Sequence, residues 1–407
     1  MWKDDIKLPV YPSLTASRKV DVAIVGGGIT GLTAAYLLKN SGKDVVVLEK
    51  GKIGDGATAY STGFLTQVID TALSDAVRIW GTELAGKVVK AHRAAIDTIE
   101  KIAAKEKITC EFVRCPHHIY SSKSAEELER ECAAARDLGM SASLDIEHDS
   151  ASSLAGVITI ADQAKMHPLK YLNGLARSVV AAGVELFEKT PVHDMEDGRL
   201  LYTKDTVVEA KHILVATHAP FVQPVGLFFR KGTYITHVFE LEVRGGALPE
   251  GTYEDTENPY HYFRVDPTDG VDRVLVGGED HRKGIPISDR SCERALESFV
   301  KRTFGHLPFK IVDRWKGPIL EPLDGLPFIG PYEHESTFYA SGFSGNGLTY
   351  GTIAALMFAD YVLGRENPWQ DVFRAGRFPY ILGLLVKGRD HIGELVGGAL
   401  KNAFSRA

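Results

Sequence analysis

The chain has 407 residues, 44% of them hydrophobic, enough to bury a large core and to divide into two domains. Its 47 basic and 53 acidic side chains leave a formal charge of -6, which gives no broad electrostatic footprint for nucleic acid. Four cysteines with no C-x-x-C pair argue against a disulfide scaffold, an iron–sulfur centre and a zinc knuckle.

The opening "MWKDDIKLPVYPSLTASRK" carries acidic residues where a signal peptide has a basic segment followed by an apolar one. No apolar stretch approaches the ~20 residues needed to cross a bilayer. A cytoplasmic protein is expected.

Lys19 to Val25, "KVDVAIV", predicts a buried parallel strand, and it runs directly into "GGGITGLTAAYLL". Gly26, Gly28 and Gly31 form G-x-G-x-x-G with a strand before and a helix after, the context that motif requires. Gly26 suits the tight turn, Gly28 the approach of a pyrophosphate, and Gly31 the close packing of helix on strand. Ile29 and Thr30 open the helix, whose free N–H groups and positive dipole end favour phosphate. "KDVVVLEK" predicts the second strand. Glu49 ends it, placed to accept from a ribose diol and to repel a 2′-phosphate, and Lys50 follows on the same surface.

Further along, helix-rich stretches from 83 to 106 and 124 to 139 contrast with the strand patterns "TYITHVFELEV", "YHYFRVD" and "DRVLVGGED". His117 and His118 are neighbours whose side chains point oppositely on a strand, so no metal site is expected. "AKHILVATHAP" predicts a strand and a tight turn at Ala216 and Thr217, after a hairpin-like stretch that includes Val192. Near the end, "FSGNGLTYGTIAALMFADYVLG" places glycines ahead of a long apolar helix expected over 348–363. Gly345, Asn346, Gly347, Leu348 and Thr349 would then bring a second set of helix N–H groups to negative charge. A flavin builds such charge around N1 and the C2 carbonyl on reduction; a nicotinamide does not. Two anchors far apart in sequence therefore predict FAD.

These segments, with "WKGPILEPLDGLPFIGP", resemble the FAD-dependent oxidoreductases of the D-amino acid oxidase, glycine oxidase and sarcosine oxidase superfamily over roughly residues 20 to 364. The likeness is nearest to the flavoprotein part of bacterial glycine/D-amino acid oxidase-like proteins, some of which add a Rieske domain; no C-x-H…C-x-x-H set occurs here. The resemblance implies an α/β fold with an α+β second domain: a Rossmann-like FAD-binding domain of the glutathione reductase type and a mixed-sheet substrate domain. Mapped onto this chain, the FAD domain takes 18–85, 160–230 and 315–366, the substrate domain 86–159 and 231–314, and 367–407 form a helical tail. It also implies that the loop holding Thr58, Ser61 and Thr62 passes along the cofactor.

For chemistry, an arginine fork is the natural clamp for a substrate carboxylate. Arg264 is expected in that role, with a structural salt bridge to Asp266 or Asp272 as the competing reading. Tyr262, two residues earlier on the same strand face, would wall the same pocket. The resemblance points to Lys316 as a lysine near flavin N5. No cysteine follows Cys292 and no histidine precedes His92, so the flavin is expected to be non-covalent. The expected reaction is hydride transfer from the C–N bond of an amino acid or secondary amine, with O2 or a separate electron acceptor. A 2-hydroxy acid dehydrogenase and a non-catalytic flavin-binding subunit are the alternatives. In the tail, Ile392, Val396, Ala399 and Leu400 approximate one apolar helical face, which would serve docking, a homo-oligomer or partner contact, or peripheral membrane contact.

Overall fold

The computed structural model describes residues 2, 6–146, 154–219, 221, 231–244 and 249–377. The expected tail face at 392–400 lies outside them. Two sheets carry the chain. The first has a parallel centre, with neighbours in the order His334–Ser341, Val207–Val215, Arg18–Val25, Val45–Leu48 and Glu185–Phe187. Phe328–Tyr332 adds an antiparallel edge, and a small hairpin extends from the Val207–Val215 strand. The central strands are valine-rich and almost wholly buried because helices cover the sheet, as parallel sheets require.

Helix α1 (Ile29–Leu38) leaves the first strand through the glycine turn and is buried on nearly every side. The second sheet runs Phe309–Pro322, Lys231–Arg244, Val271–Arg282, His261–Asp266, Gly251–Asp255, Val113–Ser121, Gly156–Lys165 and Phe64–Leu65. It is antiparallel but for the Gly251–Asp255 and Val113–Ser121 pair, so it is mixed. The domain boundaries expected at 160 and 315 fall inside its strands Gly156–Lys165 and Phe309–Pro322. Helix α2 (Asp289–Phe304) covers one of its faces with Leu296, Phe299, Val300 and Phe304.

Helix α3 (Gly347–Val362) begins one residue earlier than its apolar pattern suggested, with Asn346 at its N-cap. It crosses α1 where Gly351 meets Thr30: a Cβ there would lie 2.7 Å from Thr30 Oγ1. Beneath α3, Tyr350 packs edge-on against His92 of the Thr82–Lys105 helix, ring centroids 4.3 Å apart. Burial pushes His92 down to about 3, and its Nδ1 lies 3.1 Å from the Thr66 carbonyl. Among the described residues no helix is long and apolar enough to cross a membrane.

Candidate active site

In an open parallel sheet, ligands sit beyond the carboxyl ends of strands where the strand order reverses. The Arg18–Val25 strand has neighbours on both sides here, Val207–Val215 and Val45–Leu48, and its carboxyl end opens on a cavity of about 550 Å³. Backbone bonds lock that edge: Gly26 N–H donates to the Leu48 carbonyl (2.9 Å) and Ala216 N–H to the Val25 carbonyl (2.9 Å). Gly26, Gly28, Ile29, Thr30, Glu49, Lys50, Val192, Ala216 and Thr217 all line this end.

Gly31 does not. A Cβ there would lie 2.0 Å from the Gly26 carbonyl oxygen, so it serves packing, the role its place in the motif assigns. Glu49 Oε2 accepts from Gly27 N–H (2.7 Å) and Oε1 from Gly51 N–H (2.8 Å), which fixes the carboxylate with lone pairs to spare. Thr58 Oγ1 accepts from Ile29 N–H (3.1 Å), so the loop across the cavity caps α1.

The cavity also meets the α3 N-terminus, with Gly345, Asn346, Gly347 and Leu348 among its walls; Thr349 stands one residue behind, its hydroxyl donating to the Asn346 carbonyl. The first-turn amides of Gly347, Leu348 and Thr349 have no intrahelical acceptor. Gly345 departs from expectation: its N–H donates to Asp70 Oδ2 (2.6 Å), so its donor is already engaged. Asn346 holds the same loop, accepting from Asp70 N–H (3.2 Å) and donating to the Val68 carbonyl (3.1 Å). Ser61 and Thr62 line the cavity beside them, Ser61 Oγ accepting from Gly63 N–H.

Tyr262 was expected to share a pocket with Arg264, and of the two only Tyr262 reaches the cavity. It lines the cavity over Gly277, its partner on the next strand, and meets Phe64 edge-on at 5.6 Å. Burial raises its hydroxyl well above the ordinary tyrosine value, so it is a neutral donor. Arg264 requires correction. It shares the strand face with Tyr262, but Trp2, Met166 and the 61–63 turn cover it, leaving it 1% exposed and outside the cavity lining. Its Nε and Nη2 donate to Asp266, and its Nη1 donates to the carbonyls of Thr62 (2.9 Å) and Met166 (2.8 Å). Its fork ties loop to sheet. Lys316 is corrected too. Strand alternation turns Trp315 inward, donating from Nε1 to the Tyr60 carbonyl, and turns Lys316 outward to pair with Asp289 at 2.5 Å.

The sequence reading missed other groups on the cavity wall: the acids Asp70 and Glu254, the hydroxyls of Thr236 and Tyr260, and His117. His117 is buried, its Nδ1 2.9 Å from Thr252 Oγ1 and its Nε2 3.4 Å from Glu254 Oε2. Tyr260 donates to Asp280 Oδ2 (3.1 Å), and burial pushes that carboxyl up to about 6. The "YHY" spacing opposite a Gly-Gly pair was the available signal for the tyrosines; Asp70 had none. Among the described residues no arginine lines the cavity.

Two helix N-termini on one cavity, a carboxylate at the turn of the second strand and a glycine whose Cβ would meet only Thr58 Oγ1 fit a dinucleotide. The comparisons agree. The chain is similar to YhfW of Bacillus subtilis (strain 168), whose name places it with Rieske 2Fe-2S iron-sulfur proteins: 29% identical, over 94% of this chain and 76% of that one. It is 24% identical to the gamma-glutamylputrescine oxidoreductase of Escherichia coli (strain K12), over 92% of this chain and 91% of that protein. Its fold matches the crystal structure of glycine oxidase from Geobacillus kaustophilus with a TM-score of 0.73 at 22% identity, over 89% of this chain and all of that one. The FAD dependent oxidoreductase family, DAO, matches residues 21–361, and the chain belongs to it.

Proposed function

We propose that the chain oxidises the C–N bond of a small amine or amino acid while holding FAD without a covalent link. The α1 end, with Gly28 and Glu49, would hold pyrophosphate and ribose; the first-turn amides of α3 would face the flavin ring. The first sheet would then serve the cofactor and the second sheet cover the substrate. Non-covalent binding is supported by the cysteines: all four are buried, and none of them lines the cavity. When bound, FAD supplies the two-electron acceptor for the hydride that leaves the substrate carbon. The nitrogen lone pair closes a C=N bond, and water hydrolyses the imine.

The chain's own groups orient the amine and remove its proton. Tyr260 and Tyr262 present neutral hydroxyls, since burial raises both, while Asp70, Glu254 and His117 offer acceptors for N–H. The observation that carries the reading is this lining, with carboxylates present and no arginine among the described residues. The carboxylate of a 2-hydroxy acid, and equally that of an amino acid, calls for a cationic fork; an amine without a carboxylate is served by acceptors, so within the nitrogen compounds the lining favours amines. The test is anaerobic bleaching of the flavin by panels of amines, amino acids and 2-hydroxy acids. Bleaching by nitrogen compounds with 2-hydroxy acids silent is expected. Bleaching by 2-hydroxy acids alone overturns the reading, and silence across all three panels assigns the chain to a non-catalytic flavin-binding role. Reoxidation by O2 against an artificial acceptor then identifies where the electrons go.

A further inference from the structure

On the face of the second sheet turned toward α2, Phe239, Leu241 and Val243 form an apolar row against Leu296, Phe299 and Val300. By the period of two, His237 continues that row and ends it with a polar ring. His281, on the neighbouring Val271–Arg282 strand, stacks on it with centroids 5.5 Å apart. Cys292, in α2, closes the group: its Sγ lies 3.5 Å from His281 Nδ1.

The ligand atoms of these three side chains lie within 4.8 Å of one another. With Zn–S near 2.3 Å and Zn–N near 2.0–2.1 Å, a tetrahedral N···S edge is about 3.5 Å. The Cys292–His281 separation already has that length. His237 Nε2 is buried and makes no hydrogen bond. A histidine kept only for packing usually satisfies that nitrogen. Its nearest acid is Asp289 Oδ1 at 3.8 Å, the carboxylate that pairs with Lys316.

We propose that His237, His281 and Cys292 bind a borderline divalent transition metal such as Zn²⁺, with Asp289 or water as the fourth ligand. Nitrogen and sulfur donors select Zn²⁺ or Co²⁺ over Mg²⁺ and Ca²⁺. Binding displaces the Cys292 proton, and with Asp289 as the fourth ligand it competes with Lys316 for that carboxylate. The site ties two strands to α2 beside the register shift between Ile235 and His237. Thr236, next to His237, lines the cavity, so the metal would fix that wall from behind. No cofactor or substrate takes part.

The experiment adds Co²⁺ to the flavin-containing protein after chelator dialysis and reads ligand-field bands in the red, beyond flavin absorbance. One equivalent with the intensity of four-coordinate Co²⁺, displaced by Zn²⁺, is expected. Cys292→Ser and His281→Gln should each weaken retention at least about a hundred-fold, more than the loss of a mere supporting partner. Both variants must keep the flavin spectrum and melting temperature of the metal-free parent, which separates lost ligation from lost folding. Should both unfold, His237→Gln replaces them under the same criteria. Absence of the bands in the parent protein, or equal Co²⁺ retention by parent and folded variants, overturns the proposal.

Discussion

At the N-terminus of α1 the chain is packed against itself, whereas at the N-terminus of α3 it faces open space. A Cβ on Gly26, whose φ is +116°, would lie 2.4 Å from the Ala216 carbonyl oxygen, and one on Gly31 would lie 2.0 Å from that of Gly26. A Cβ on Gly347 would meet nothing within 4 Å. Two glycine-rich turns before apolar helices thus look alike in sequence and differ in cause. The first is bare because strand, turn and helix must touch. The second is bare at Gly347, on the side of the cavity, although Gly345 in the same turn meets Asp70.

Gly31→Val should break the first turn outright. No folded, flavin-retaining protein is expected, whereas Gly347→Ala should melt within a degree or two of the parent and keep its flavin. Melting curves and flavin stoichiometry of the pair decide it; the opposite ranking would erase the distinction. Gly28→Val lies between them. Only Thr58 Oγ1, at 3.2 Å, stands near the new Cβ, so the fold should survive while the side chain fills the cradle and FAD is lost. Apoprotein with parent-like circular dichroism and no FAD titration is the expected outcome.

A third measurement concerns the support under α3. His92 takes a proton near 6.5 when unfolded and only near 3 when folded, so between those values the unfolded chain binds more protons. Stability is therefore fully present above pH 6.5 and declines as pH falls, by about 3 kcal/mol between pH 7 and 4. Denaturant titrations of the parent and His92→Gln at both pH values should give a shallower decline in the variant. The smallest effect is electronic. Gly347→Asp places a carboxylate beside the first-turn amides of α3, and helix-terminus charges act at about 0.3–2 kcal/mol. That corresponds to a two-electron midpoint drop of up to roughly 40 mV relative to Gly347→Ala. Equal potentials in the two variants would place the α3 turn away from the flavin ring.

The α1 turn was legible because local rules decide it: strand, three glycines, helix, second strand and Glu49 follow each other within a short span. Tyr262 was legible as a strand-face residue. Arg264 was misplaced because alternation gives the face of a strand but not what covers it, and its cover comes from Trp2, the 61–63 turn and Met166. Lys316 was decidable in principle, since an inward Trp315 forces its neighbour outward. Asp70 was not. It reaches Gly345 across 275 positions of chain, and nothing local marks either residue for the other.

Arg377 and Asp324 form a buried pair, 4% and 3% exposed, in which the guanidinium also donates to the carbonyls of Leu326 and Pro327. The carbonyl of Asp324 accepts from Trp80 Nε1, while Phe373, four residues before Arg377, packs against Tyr350 of α3. This places a seam in the molecule. A polypeptide cut at 366, the expected end of the FAD domain, would strand the buried Asp324 carboxylate without its guanidinium, a loss on the order of 3–5 kcal/mol. Cut after 377, it would keep its keystone. Any module joined to this flavoprotein unit from the C-terminal side must therefore begin beyond the arginine that locks it.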